Sequence, residues 1–198
     1  MPSIDGHRWI NCFSDVQTAG NGLRVQAFLH DVVTPALVSL DKQFELWAAS
    51  DEVVADFAQA DVQELARATT EAFCLAIHSL FERQLRRWLV GCVGSLGFTA
   101  DRLHAARTGN LERLSRLLGV LRGIPLSAFY SFSDMKRLEL LANACRHGDG
   151  ESATQLFKRH PELWPDRPTT ITPLSDGLEL AAPILPPSFD SIVVPPNG

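Results

Sequence analysis

The sequence predicts an all-α fold, and three features of its 198 residues carry that expectation. Apolar side chains recur every three or four residues over long stretches, the period of a helix with one face turned to a core. From Asp61 to Gly91 neither proline nor glycine interrupts the pattern. No stretch shows the strict apolar–polar alternation that would place a half-buried strand in a sheet.

The elements follow in order. Residues 23–49 show helical spacing, with Pro35 expected to kink or break the helix because it lacks an N–H. Asp51 is a candidate cap for a further helix from Glu52. Residues 61–91 form one long central helix whose stripe Val62, Ala66, Thr69, Phe73, Ile77, Leu80 and Trp88 faces a core. Its opposite side mixes Glu71, Leu75, His78, Glu82, Leu85 and Leu89, so burial on two sides is expected. Three glycines in residues 91–99 break the chain. Helices over 100–107 and 110–122 come next, joined through Thr108-Gly109. After the loop GIPLSAFYSFS, Ser133 or Asp134 is a candidate cap for a helix to His147, which the turn Gly148-Asp149-Gly150 ends. A short helix then runs to His160, ahead of Pro161. Nine of the twelve prolines lie in 161–198, which makes residues 166–198 an extended, proline-rich arm beside a helical domain of 1–165.

Composition narrows the function. At 45% hydrophobic and 21% charged, the chain is globular, which excludes a disordered chain, a collagen-like fibre and a small disulfide scaffold. It has no apolar run of about 18 residues, so no membrane-spanning helix is expected. No basic segment followed by an apolar one opens it, so no secretion signal is expected either. Cys12, Cys74, Cys92 and Cys145 stand far apart without paired spacing, which argues against a zinc ribbon and suits a reducing cytoplasm. The net charge of −5 averages unlike regions. Residues 1–71 carry 4 basic and 11 acidic side chains, residues 72–167 carry 14 and 9, and the remainder has 3 acids and no base. Acidity overall speaks against nonspecific nucleic-acid coating, while the basic middle, rich in arginine, suits local contact with phosphate. Solvated helix faces explain the same arginines without any ligand.

Ala106-Arg107-Thr108-Gly109-Asn110-Leu111-Glu112 parallels Cys145-Arg146-His147-Gly148-Asp149-Gly150-Glu151 at an offset of 39 residues. Each copy reads helix, glycine turn, helix. The first also resembles an ankyrin unit, but His104 stands one residue too close to Gly109 and the offset is not the ankyrin period of about 33.

No phosphate-binding glycine loop, His-Glu-x-x-His or Gly-x-Ser-x-Gly occurs, and the six histidines are scattered. No cofactor or metal is therefore expected. Two constellations remain. On the long helix, His78 and Glu82 are four apart and Glu71 precedes His78 by seven, so the three share a face. Glu82 is placed either to orient a catalytic group or to pair with Arg86 one turn on. In residues 137–164, Asn143 and His147 share a helix face and Arg146 points to a neighbouring one. A basic residue in a last turn is favoured by the helix dipole alone.

The Asn-x-x-Arg-His-Gly run, following a long helix with Phe-Glu-Arg, resembles the HEPN superfamily of small all-helical domains over roughly residues 60–160. The resemblance implies a cytoplasmic helical bundle that dimerises so that two motifs of the Arg-Asn-x-x-x-His type form one cleft. Active members are metal-independent RNA endonucleases, many of them in toxin–antitoxin and anti-phage systems, and a nucleotidyltransferase often accompanies them. Carried onto this chain, His147 is the general acid/base, Arg146 holds phosphate, Asn143 fixes the geometry and Glu82 is an orienting partner. The motif departs at one position: Asn143 and His147 match, but Ala142 stands where the arginine belongs. Attack of a 2′-hydroxyl on phosphate needs proton transfer, which histidine suits, and stabilisation of the phosphorane charge, which arginine suits. Losing such a donor costs about 10²–10³ in rate, so weak endoribonuclease activity or RNA binding alone is expected. A cognate antitoxin or nucleotidyltransferase is the partner that the resemblance implies. The competing expectation is a non-catalytic module whose helical hairpins and proline-rich tail dock a partner protein, with an ankyrin-like adaptor behind it.

Overall fold

The computed structural model describes residues 4–148 and 150–163. The expected arm of 166–198 lies outside the described residues. Among those described there is no strand, so the all-α expectation stands. The helices are α1 (Phe13–Thr18), α2 (Asn21–Phe28), α3 (Thr34–Ala48), α4 (Ala55–Ser95), α5 (Ala100–Thr108), α6 (Leu111–Arg122), α7 (Phe132–His147) and α8 (Glu151–Arg159). No helix among the described residues is long and apolar enough to cross a membrane.

Several boundaries differ from the sequence expectation, each for a local reason. Pro35 does not break the chain. A π-helical turn, Leu29–Val33, joins α2 to α3, and the Thr34 N–H bonds to the Leu29 carbonyl five residues back. Pro35 has no N–H to give to the carbonyl of residue 31, so the widened turn takes up the missing rung just before it. Asp51 caps nothing. The long helix starts at Ala55 and runs 41 residues, absorbing both the short helix expected from Glu52 and two of the three glycines expected to end it. It ends at Ser95, two residues before Gly97, whose φ of 73° is the left-handed conformation that glycine adopts without cost, while the Phe98 N–H reaches back to the Val93 carbonyl at 3.1 Å.

Gly91 has a different task. A Cβ there would lie 2.3 Å from Ser14 Oγ and 2.9 Å from Ser14 Cβ. Glycine lets α1 sit directly on α4, where Ser14 Oγ donates to the Trp88 carbonyl at 3.0 Å.

The chain divides into two compact units. One comprises residues 4–36 and 76–136; the described residues of the other lie within 37–75 and 137–163. Helices α3, α4 and α7 each cross the division in sequence. The first unit has a leucine core in which Leu111, Leu114, Leu117, Leu118 and Leu121 of α6 meet Leu85, Leu89, Cys92 and Val93 of α4, Ala106 of α5 and Cys12. Those α6 positions repeat at three and four residues, and each fully buried leucine contributes about 1.5–3 kcal/mol. Asn110 Oδ1 caps α6 by accepting from the Arg113 N–H at 3.0 Å. In the second unit Cys74 of α4, Leu141 of α7, Leu156 of α8 and Leu163 form a smaller cluster, flanked by Leu140, Ala144, Cys145 and Phe157.

The core face of α4 is not the stripe expected from the sequence. Of that set only Val62 is buried and the rest are half-buried. His78, Leu85, Leu89, Cys92 and Val93 go deepest, and three of them belong to the mixed second face, which is the better shielded one. The two glycine-turn hairpins also differ in detail. Gly109 is extended, at φ −62° and ψ 145°, whereas Gly148 is left-handed at φ 68°, so the sequence parallel does not repeat a backbone conformation.

Candidate functional site

The residues singled out in the Asn-x-x-Arg-His run occupy the last two turns of α7. That helix ends because Gly148 turns left-handed and gives its N–H to the Ala144 carbonyl at 2.8 Å. The helical period then sorts the side chains. Leu141 joins the core cluster of the second unit, and Ala142 is fully buried, with 0% exposure. Asn143 is half-buried, and Arg146 and His147 are exposed. None of Asn143, Arg146 and His147 makes a side-chain hydrogen bond or ion pair among the described residues. Two basic groups and an amide are thus presented at a helix C-terminus, where the macrodipole favours positive charge. They can take an anion or donate to one. The position that would carry a motif arginine is closed to solvent instead.

Glu82 is engaged elsewhere. It accepts from Arg86 Nη2 at 3.3 Å, and Arg86 Nη1 also holds the Arg107 carbonyl at 3.1 Å. Glu82 belongs to the first unit, and Asn143, Arg146 and His147 to the second. Of its companions on α4, Glu71 lies near Arg67 and near the thiols of Cys74 and Cys145, on which its charge acts. His78 is 5% exposed, and neither ring nitrogen has a hydrogen-bond partner among the described residues.

A second constellation, not legible in the sequence, lies in the first unit around Arg122. Its side chain is 0% exposed. Arg122 Nη2 donates to Asp15 Oδ2 at 2.7 Å, and Nη1 approaches Cys92 Sγ at 3.9 Å. The other Asp15 oxygen accepts from Trp88 Nε1 at 2.8 Å. The guanidinium carbon stands 5.2 Å from the Trp9 ring centre and 5.8 Å from that of Trp88. His7 Nε2 donates to the Arg122 carbonyl at 3.0 Å. Burial works against the Arg122 charge, but the hydrogen bond and the charge of Asp15 outweigh it, and the guanidinium is held more firmly protonated than usual. Cys12 and Cys92 bring their sulfurs to 3.5 Å beside this pair. Burial, then the Cys12 thiol, pushes the Cys92 pKa up to about 12.

Cys12, Asp15 and Cys92 place three potential metal-ligating atoms within 4.8 Å of one another, a donor set of the kind that suits zinc. Both Asp15 oxygens are already bound, and Arg122 supplies the positive charge a metal would bring. The cluster is best described as an ion pair clasped by two tryptophans, fixing the N-terminal segment to α4 and α6. The signal that could have found it is the pairing of Trp9, Asp15 and Trp88 with one arginine of a leucine-rich helix, but nothing in the sequence spacing brings these residues together.

Compared with family models, curated proteins and solved structures, the chain gives no match.

Proposed function

We propose that this chain is a HEPN-like, cytoplasmic helical domain that contacts RNA through the end of α7, in a toxin–antitoxin or phage-defence system or in RNA processing. The observation that carries the reading is the exposure of Arg146 and His147, without partners among the described residues, one turn from Asn143. Unpaired basic groups on a rigid helix end suit a phosphate backbone, with Arg146 as the bidentate donor and His147 as the proton carrier. Ala142 supports binding over fast cleavage, because the position of the missing arginine is fully buried. Metal-independent endoribonuclease activity is therefore expected about 10²–10³ below that of an intact site. The family resemblance makes a homodimer the working form and an antitoxin or a nucleotidyltransferase its partner.

The test is fluorescence anisotropy on single-stranded and hairpin RNA in EDTA, followed by gel analysis of the same mixtures. Arg146→Ala and His147→Ala are each expected to weaken binding, and Arg146→Ala to lower the slope of log K against log salt by about 0.7. Any fragments seen with the parent protein are expected to vanish with His147→Ala. Equal affinity in all three proteins, or none in any, overturns the reading.

A second reading, a protein-docking module without RNA chemistry, draws on a different observation. Phe13, Val16 and Leu23, all in α1 and α2, are each about 70% exposed. Apolar side chains gathered in a short stretch of surface helix are common in partner interfaces. This reading expects no RNA binding in the assay above.

A further inference from the structure

We propose that Cys74 and Cys145 are a peroxide-reactive dithiol that closes to a disulfide and pins α7 to α4 within the second unit. Residues 71 positions apart in sequence meet there: Cys74 is a buried member of the Leu141–Leu156–Leu163 cluster, and Cys145 packs against it from α7. The two thiols lie close enough for each to act on the other's ionisation through a hydrogen-bonding contact. The two are not equivalent. Cys145 is only half-buried, one residue before the exposed Arg146, whereas Cys74 is 8% exposed. The hydrogen bond from the Cys74 thiol favours a thiolate at Cys145 and lowers its pKa, although burial and the Glu71 charge oppose this. The same bond, with burial and the charges of Cys145 and Glu71, holds the Cys74 proton in place. An accessible attacking sulfur and a shielded resolving sulfur are the two parts that a reversible thiol sensor requires.

The chemistry balances with hydrogen peroxide as the oxidant. The Cys145 thiolate attacks one peroxide oxygen; an S–O bond forms, the O–O bond breaks, and the departing hydroxide takes up a proton as water. Cys145 is now a sulfenic acid, having given two electrons to the peroxide. The Cys74 sulfur attacks Cys145 sulfur, the S–S bond forms, the S–O bond breaks, and the hydroxyl leaves as water with the Cys74 proton. Two thiols and one peroxide become one disulfide and two waters.

The Cys12–Cys92 pair is an internal control. Its sulfurs are 3.5 Å apart, yet Cys92 is fully buried and Cys12 nearly so. With its proton held by burial, Cys92 offers no thiolate near neutral pH. Proximity is common to both pairs; access and ionisation distinguish them.

The experiment treats the folded full chain with equimolar hydrogen peroxide, blocks remaining thiols with N-ethylmaleimide in denaturant, and maps peptides by mass spectrometry. A Cys74–Cys145 disulfide is expected, with Cys12 and Cys92 both alkylated. In the untreated protein, iodoacetamide is expected to modify Cys145 at least about tenfold faster than Cys12 or Cys92. Cys74→Ser is expected to leave a sulfenic acid at Cys145 that dimedone captures, and Cys145→Ser to abolish the reaction. The iodoacetamide rates need no variant, so the proposal stays testable if a substitution prevents folding. A Cys12–Cys92 disulfide, an intermolecular disulfide, or four unreacted thiols under excess peroxide overturns it.

Discussion

Gly91 shows how one missing side chain sets a packing distance. Because a Cβ there would meet both Oγ and Cβ of Ser14, and Cβ contacts under 3.0 Å force something to move, Gly91→Ala is expected to push α1 off α4 and cost about 1–3 kcal/mol. Ser14→Gly in the same chain removes the obstructing atoms. A double-mutant cycle by urea denaturation is therefore expected to show recovery of part of the loss, and strictly additive effects would contradict the contact. Cys92 makes a prediction of a different kind. Its pKa is raised from 9.0 to about 12 in the folded protein, so the fold favours the protonated thiol. The stabilisation is fully present below pH 9 and is lost as pH rises towards 12, where the unfolded chain has already released the proton. Stability measured by denaturant titration is expected to fall from pH 9 upward, with up to about 1.4 kcal/mol per pH unit from this one group. Cys92→Ala is expected to flatten that limb, even though it costs stability at neutral pH. An unchanged slope would mean that the Cys92 thiol ionises as readily folded as unfolded. Neither residue could have been assigned these roles from the sequence, where Gly91 reads as a helix breaker and Cys92 as an isolated cysteine.

At the level of elements, the sequence was most informative where a local rule decides alone. The spans of α5, α6 and the end of α7 follow from helical periodicity and glycine turns, and the observed helices agree within one or two residues. Asn110, read from the sequence as the first helical residue, is instead the cap: its side chain takes up one of the free N–H groups at the start of α6. Asn110→Ala is expected to cost about 1 kcal/mol, and Asn110→Asp much less, both read as shifts in the denaturation midpoint. Equal losses for the two would mean that the amide does not act as a cap. The sequence was least informative where two rules compete. Gly91 and Gly94 carry a local penalty of about 1 kcal/mol each in a helix interior, but packing of Leu89, Cys92 and Val93 against the leucines of α6 exceeds it and carries α4 on to Ser95. Pro35 likewise reads as a breaker, yet one π-helical turn accommodates it and the helical path continues. His78 is the remaining discord: its position on the mixed face of α4 was evident, but not that both nitrogens would be buried without partners among the described residues.

Across the whole molecule, the charge pattern and the all-α class were legible, whereas the grouping of side chains into two cores was not, because it depends on contacts far apart in sequence. The candidate site divides in the same way. Asn143, Arg146 and His147 fall together because they are local to α7, while Glu82 belongs to the other unit and pairs with Arg86. The two cores are unequal: among the described residues, twelve buried side chains form the first and four the second. Removing one side chain should therefore have unlike consequences. Leu118→Ala and Leu156→Ala each open a cavity at a site with 0% exposure and are each expected to cost about 2–5 kcal/mol. In the second unit that loss falls on a quarter of the buried cluster, so Leu156→Ala is expected to unfold this unit at lower denaturant than the first. Because α4 runs continuously through both, its residues 55–75 should lose amide protection together with 137–159, while 85–93 and 111–121 retain theirs. Leu118→Ala is expected to behave differently, since a four-residue core has little apolar surface with which to stand alone once the larger one fails. Protection is then expected to fall throughout the described helices in one transition. Hydrogen exchange followed by mass spectrometry across a urea series separates these outcomes. A single transition for Leu156→Ala, with α6 losing protection in step with α8, would show that the small core has no stability of its own to lose.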